Sequence, residues 1–128
     1  TGKKEVQEAV RLNPRYMRGH LVLANLHLKT NDPISAEKEA LEILRVNPTD
    51  VPAFVIYGDS FLLRKDWSKA EEVYGALIKQ IPDNPLGYFK MGISRKLQGR
   101  PGKAVKYFSQ ALSRNPDDLN TVNEYIFT

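Results

Sequence analysis

Four prolines recur along this chain at a constant interval of 34 residues: Pro14, Pro48, Pro82 and Pro116. A fixed period of about 20 to 50 residues is typical of proteins that stack one supersecondary unit on the next. In such arrays each unit contacts mainly its neighbours, and function usually lies on the extended surface that the stack creates. The period therefore predicts a repeat protein and directs the search for function to its surface.

The period divides the 128 residues into three full units of one domain (1–128), and these units are 17–50, 51–84 and 85–118. Residues 2–16 match the second half of a unit, and residues 119–128 match the start of another. The sequence begins and ends inside a unit and has no initial Met. We therefore expect it to be a fragment of a longer array.

Apolar residues within the units recur at helical spacing. In the last full unit Ala104, Phe108 and Ala111 follow at steps of three and four residues, which indicates one face of an amphipathic helix. Small residues share one column in each half of the unit, where two backbones can approach closely: Ala24, Gly58 and Gly92, then Ala36, Ala70 and Ala104. No alternating pattern of useful length predicts a strand.

Aromatic residues complete the pattern, with Phe54 and Tyr88 early in the first helix and Tyr74 and Phe108 in the second. Together these columns resemble the tetratricopeptide repeat, a helix–turn–helix motif of about 34 residues. The resemblance covers essentially the whole chain. It implies an all-α fold, a right-handed α-solenoid of antiparallel helix pairs.

Four positions depart from the family pattern. The first unit has His20 and His27 at aromatic positions and Ala40 where the second helix normally has an aromatic residue. We expect looser packing there, or a bulky neighbour that fills the space. The third unit has Arg95 where the first helix usually buries a Tyr.

The resemblance also implies that the first helices line a concave groove. The groove residues that it selects are Leu21, Asn25, Val55, Ile56, Asp59, Phe89, Lys90, Ile93 and Lys96. Other positions on the same face include Val22, Leu63 and Leu97. Such an apolar strip with scattered charges suits an amphipathic helix or an extended peptide. We therefore predict a protein–protein interaction scaffold that binds a peptide or helix of a partner protein in this groove. The alternative is that these side chains pack on one another or on neighbouring repeats.

One subtype of the family binds the terminal carboxylate of a peptide through a clamp of Lys, Asn and Arg. At the position of the first clamp Lys this sequence has an apolar residue in every unit: Leu21, Val55 and Phe89. Ile56 stands where the second clamp Asn is expected. The sequence therefore argues against a receptor for chaperone tails.

Basic residues are concentrated in the third unit. Between Pro85 and Pro116 the sequence has no Asp or Glu, although it carries seven basic residues: Lys90, Arg95, Lys96, Arg100, Lys103, Lys106 and Arg114. Such a block favours an acidic partner, or is a solvated face. It also leaves a nucleic-acid-binding helical repeat as the alternative function. Against this alternative, the groove positions carry no repeating polar code that could read one base per unit.

No catalytic or metal-binding pattern is recognised, and we expect neither an enzyme nor a cofactor. The chain has no Cys, which excludes disulfides and zinc–thiolate sites. His20 and His27 are seven residues apart rather than the four of a helical metal pair, so we expect packed neutral side chains. No membrane-spanning run and no targeting segment are recognised, and the sequence does not distinguish a cytoplasmic from a bacterial periplasmic location.

Apolar residues near both ends predict self-association. Val122, Tyr125 and Ile126 should lie on the side that a following helix would cover, and Val6, Ala9 and Val10 on the opposite end of the array. We therefore expect this chain to associate end to end, or to exchange a terminal helix with a second copy, as a consequence of truncation.

Overall fold

The computed structural model describes residues 14–127, with side chains from residue 17 onward. In this range the chain forms seven α-helices and no β-strand: α1 (Pro14–Lys29), α2 (Pro33–Val46), α3 (Val51–Leu63), α4 (Trp67–Gln80), α5 (Pro85–Leu97), α6 (Pro101–Arg114) and α7 (Leu119–Ile126). The all-α prediction is confirmed. The predicted positions of Val6, Ala9 and Val10, and most of the half unit 2–16, lie outside the described residues.

The helix starts are set by local sequence. Asp32, Asp50, Asn84 and Asp118 precede α2, α3, α5 and α7, and each side chain accepts a hydrogen bond from a backbone N–H of the first turn. Proline lies in the first turn of α2, α3, α5 and α6, where its fixed φ is favourable. Hydrogen bonds from the side chain and backbone N–H of Ser35 hold the pKa of Asp32 below its ordinary value of 3.8.

The first helix of each repeat ends on a left-handed residue. Asn31, Lys65 and Gly99 have φ of 60°, 61° and 75°, and they are 34 residues apart along the chain. After α5, the N–H of Gly99 donates to the carbonyl of Lys96 at 3.0 Å, and the N–H of Arg100 donates to that of Arg95 at 2.9 Å. This is the Schellman arrangement, which satisfies the last carbonyls of a helix. The period of the prolines therefore recurs in the backbone geometry.

The chain divides into two compact units, at residue 66. In the first unit α2 packs on both α1 and α3. Its core cluster joins Ala24, Ala36 and Ala40 to Ile56. Because Ala40 is small where the other repeats have an aromatic residue, the cluster has room for the Ile56 side chain. The cluster thus joins Ala40 to a large side chain of the next repeat.

In the second unit α5 packs on α4 and α6, and α7 packs on α6. Tyr74, Leu77 and Phe108 are fully buried. A Cβ at Gly92 would lie 2.4 Å from Cε1 of Phe108, far inside van der Waals contact. The helices of this unit therefore approach as closely as the small-residue column predicts.

Candidate functional site

In the first unit the predicted groove residues differ in accessibility. Asn25 is exposed, and its Nδ2 donates to the carbonyl oxygen of Leu21 at 3.1 Å. Leu21 is half-buried because it packs against the core cluster. Val55 and Asp59 are also half-buried on α3. Each of these four side chains therefore keeps some surface that a ligand can reach.

Ile56 requires a correction. The sequence placed it on the groove, but its side chain is 3% exposed and belongs to the core of the first unit. The physical reason is that Ile56 packs in a cluster with three small residues, Ala24, Ala36 and Ala40, which leave room for a large side chain. Ile56 is therefore omitted from the candidate surface.

Exposed leucines extend the same helix faces. Leu63 is 41% exposed and lies one helical turn beyond Asp59 on α3, and Leu97 is 57% exposed and lies one turn beyond Ile93 on α5. The two leucines are 34 residues apart. Val22, on α1, is 65% exposed. Covering such side chains is favourable by about 25 cal/mol per Å² of apolar surface, so these positions can contribute to binding.

In the second unit the groove residues are partly engaged within the protein. The Phe89 ring lies 6.0 Å from the ring of buried Phe108, centroid to centroid. The Nζ of Lys96 donates to Oε2 of Glu124 at 2.6 Å. Lys90 and Ile93 are half-buried. Phe89 thus supports the core as well as the surface, and Lys96 presents a paired charge to any partner.

A polar contact between successive repeats was not predicted from the sequence. In the first unit Glu37 on α2 accepts a hydrogen bond at 3.1 Å from Nη2 of Arg64, which follows α3. The Arg64 guanidinium also lies 4.6 Å from the ring centroid of Phe61, and its Nε donates to the carbonyl of Ser60 at 3.1 Å. These contacts fix the end of α3 against α2.

The second unit repeats this arrangement around Glu71. Its Oε2 accepts from Oγ of Ser94 at 2.8 Å and from Nε2 of Gln98 at 2.6 Å, and its Oε1 pairs with Nη2 of Arg95 at 2.9 Å. Glu37 and Arg64 are 27 residues apart, as are Glu71 and Gln98. The contact could have been predicted from this common separation, together with the serines at the same repeat position, Ser60 and Ser94.

Several residues of the basic block serve internal contacts. The Arg114 guanidinium lies 3.9 Å from the ring centroid of Tyr88, and its Nε donates to the carbonyl of Pro82 at 2.7 Å. Arg95 and Lys96 pair with carboxylates as described. The block is therefore less available to an acidic ligand than its count of charges indicates.

Neither histidine is arranged for metal binding with its neighbours. Nδ1 of His20 contacts Oε2 of Glu39, and Nδ1 of His27 lies 3.8 Å from Oδ2 of Asp32. Within the described residues, no three His, Cys, Asp or Glu side chains are grouped to hold a metal ion. Over the same range, none of the helices has the length and apolar character needed to cross a bilayer.

The C-terminal helix exposes apolar surface. Tyr125, Ile126 and Phe127 are exposed at the end of α7, whereas Val122 is half-buried. Self-association through this surface stays a prediction.

Helix pairs, the repeated left-handed turn and the small-residue columns define this chain as an α-helical repeat protein. Tetratricopeptide repeat family models match residues 21–85 and 85–118. The chain belongs to the tetratricopeptide repeat (TPR) family. A search of curated protein sequences found no significant match.

Solved structures show the same fold at low sequence identity. A TPR protein of Thermus thermophilus is 21% identical, with a TM-score of 0.79 over 98% of this chain and 70% of that one. The first TPR domain of human RPAP3 is 14% identical, with a TM-score of 0.75 over 87% of each chain. The first TPR of Spaghetti (RPAP3) bound to the HSP90 peptide SRMEEVD is 14% identical, with a TM-score of 0.74 over 87% of this chain and 90% of that one. Family and fold together support a protein-interaction scaffold.

Proposed function

We propose that this chain is a non-catalytic interaction module whose first helices bind a peptide or helix of a partner protein. In the first unit the proposed surface comprises Leu21, Asn25, Val55, Asp59 and Leu63. In the second unit it comprises Phe89, Lys90, Ile93, Lys96 and Leu97. Each set lies along first helices of the repeats.

The exposed leucines carry this proposal. Leu63 and Leu97 each lie one turn from a predicted groove residue and keep 41% and 57% of their surface exposed. Large apolar side chains that recur at one repeat position are anchors of the kind that amphipathic peptides cover. The structure of Spaghetti (RPAP3) with an HSP90 peptide supports peptide binding as a use of this fold.

The ligand that we propose is apolar or amphipathic rather than a terminal carboxylate. Leu21, Val55 and Phe89 occupy the first clamp position, and none of them can donate a hydrogen bond from its side chain. This surface has two cations, Lys90 and Lys96, and Lys96 pairs with Glu124 at 2.6 Å. A chaperone tail would therefore lack the first donor of the clamp in every repeat.

Peptide selection with structural mapping tests the proposal. A phage-displayed library of random peptides would be selected against the 128-residue chain, and the best binder titrated into isotope-labelled protein. We expect the amide resonances of α3 and α5 to shift more than those of α2 and α6. Shifts confined to the second helices would refute the assignment. If none of the selected peptides binds and a single-stranded RNA does, the result would favour the nucleic-acid alternative.

A further inference from the structure

A cavity of about 340 Å³ in the second unit is lined by one residue of α5, Arg95, and four residues of α6: Lys103, Lys106, Tyr107 and Gln110. We call it the α6 cavity. The four α6 residues follow at intervals of three, one and three, so they share one face of that helix. Three of the five lining side chains are cationic, and Tyr107 and Gln110 add a hydroxyl and an amide donor.

The two lysines are the uncompensated charges of this cavity. Both are exposed, and in the part of the chain that the structure describes neither forms an ion pair. None of the residues that line the cavity is an Asp or Glu that could neutralise them. A cavity with unpaired charge of one sign attracts ligands of the opposite sign.

Arg95 is held in place on the wall of the cavity. Its Nη2 pairs with Glu71 at 2.9 Å, and its guanidinium lies 5.9 Å from the ring centroid of Tyr107. Its Nε is shielded from solvent and has no acceptor among the described residues. Buried donors are nearly always paired, so Arg95 is a fixed cation whose hydrogen-bonding capacity is only partly used.

The α6 cavity is separate from the groove residues of α5. Ile93 and Arg95 are two residues apart on one helix, which places their side chains about 200° apart around the helix axis at 3.6 residues per turn. The other lining residues belong to α6, which contributes nothing to the proposed groove. A ligand in this cavity therefore uses different side chains from a peptide on the first helices.

We propose that the α6 cavity is a second binding site, for the carboxylate side chains of an acidic segment of a partner protein. The clustered cations select an anionic ligand, and complementary charge speeds its encounter with the site. A nucleic acid is a poorer match, because its phosphates need a track of cations and its bases need successive aromatic surfaces. Here the cations lie in one cavity with a single aromatic ring.

The test uses hexaglutamate as the probe and hexaglutamine as the uncharged comparison, each titrated into the isotope-labelled chain at low ionic strength. We expect hexaglutamate to shift the amide resonances of Lys103, Lys106 and Tyr107 more than those of Phe89 and Ile93. The double variant K103Q/K106Q should weaken binding at least about tenfold, and salt near 0.15 M should weaken the wild type similarly. Hexaglutamine should not bind.

A matched control removes the same charge elsewhere. K38Q/K79Q replaces two exposed lysines of α2 and α4, and it should change the affinity less than about twofold. Equal losses in both double variants would overturn the site in favour of non-specific attraction. Two further probes, a phosphoserine peptide and oligouridine, decide the ligand class. If either binds through Lys103 and Lys106 more tightly than hexaglutamate does, the carboxylate assignment is overturned.

Discussion

Oε1 of Glu71 lies 2.9 Å from Nη2 of Arg95, a residue of the next repeat. The other oxygen of the same carboxylate accepts hydrogen bonds from Ser94 and Gln98. One carboxylate on α4 thus binds three side chains at the end of α5, and Arg95 is only 19% exposed.

Replacing Glu71 by Ala should therefore destabilise the chain. The change leaves a largely buried guanidinium without its counter-ion, and we expect a loss of about 1–3 kcal/mol in the free energy of unfolding. Urea unfolding followed by circular dichroism measures it. Glu72→Ala, an exposed neighbour on the same helix, should stay within about 0.5 kcal/mol. Equal effects of the two substitutions would show that the contact does not stabilise the helices.

Gly92 should tolerate no side chain. Its Cβ would lie 2.4 Å from the ring of Phe108, which is fully buried and cannot move aside without disturbing the core. We expect Gly92→Ala to cost about 1–3 kcal/mol through overpacking. Gly75→Ala is the matched control, since nothing lies within 4 Å of its Cβ. That substitution should instead stabilise α4 by up to about 1 kcal/mol. If both substitutions changed the free energy of unfolding in the same direction, the close packing of Gly92 on Phe108 would be contradicted.

Substitutions at two of the left-handed turns should change thermal stability in opposite directions. Lys65 has φ of 61° and Gly99 has φ of 75°. A side chain at this geometry costs about 1 kcal/mol relative to glycine, so Lys65→Gly should raise the thermal midpoint and Gly99→Ala should lower it. Gly102→Ala, in the first turn of α6, has open space around the new Cβ and should not lower it. A higher midpoint for Gly99→Ala would rule out the left-handed turn.

The repeat pattern predicted the helices because each depends on local signals. The prolines, the capping Asp and Asn residues and the apolar columns act within one or two turns, and the sequence displays them directly. Ile56 was misplaced because it is buried in a cluster with Ala24, Ala36 and Ala40, which belong to other helices. The Glu71 contact and the α6 cavity were missed for the same reason, since each joins side chains of different helices. Sequence periodicity shows which face of a helix is apolar, but not which neighbour covers it.

The apolar end of α7 predicts self-association. Ile126 and Phe127 are 65% and 79% exposed, and covering them would be favourable by about 25 cal/mol per Å². We expect sedimentation velocity of the 128-residue chain to show dimers that increase with concentration. The variant Ile126→Ser with Phe127→Ser should shift the distribution to monomer. A wild-type chain that stays monomeric near millimolar concentration would refute this prediction.

Phe89 is a poor choice for testing the binding surface, because its ring also packs 6.0 Å from that of Phe108. A loss of affinity in Phe89→Ala could follow from a disturbed core. Leu63 and Leu97 avoid this difficulty, since both are exposed at the ends of their helices. Ile34 is 47% exposed on α2, and so provides a control of matched size on a second helix.

Calorimetry of a selected peptide against these variants tests the proposed function most directly. If the first helices bind the partner, Leu63→Ser with Leu97→Ser should weaken affinity at least about tenfold, because fully burying a Leu side chain is favourable by about 1.5–3 kcal/mol. Ile34→Ser should change it less than about twofold, and the urea midpoints of all variants should stay close to that of the wild type. Unchanged affinity in the double variant, or an equal loss in Ile34→Ser, would contradict a binding surface on the first helices.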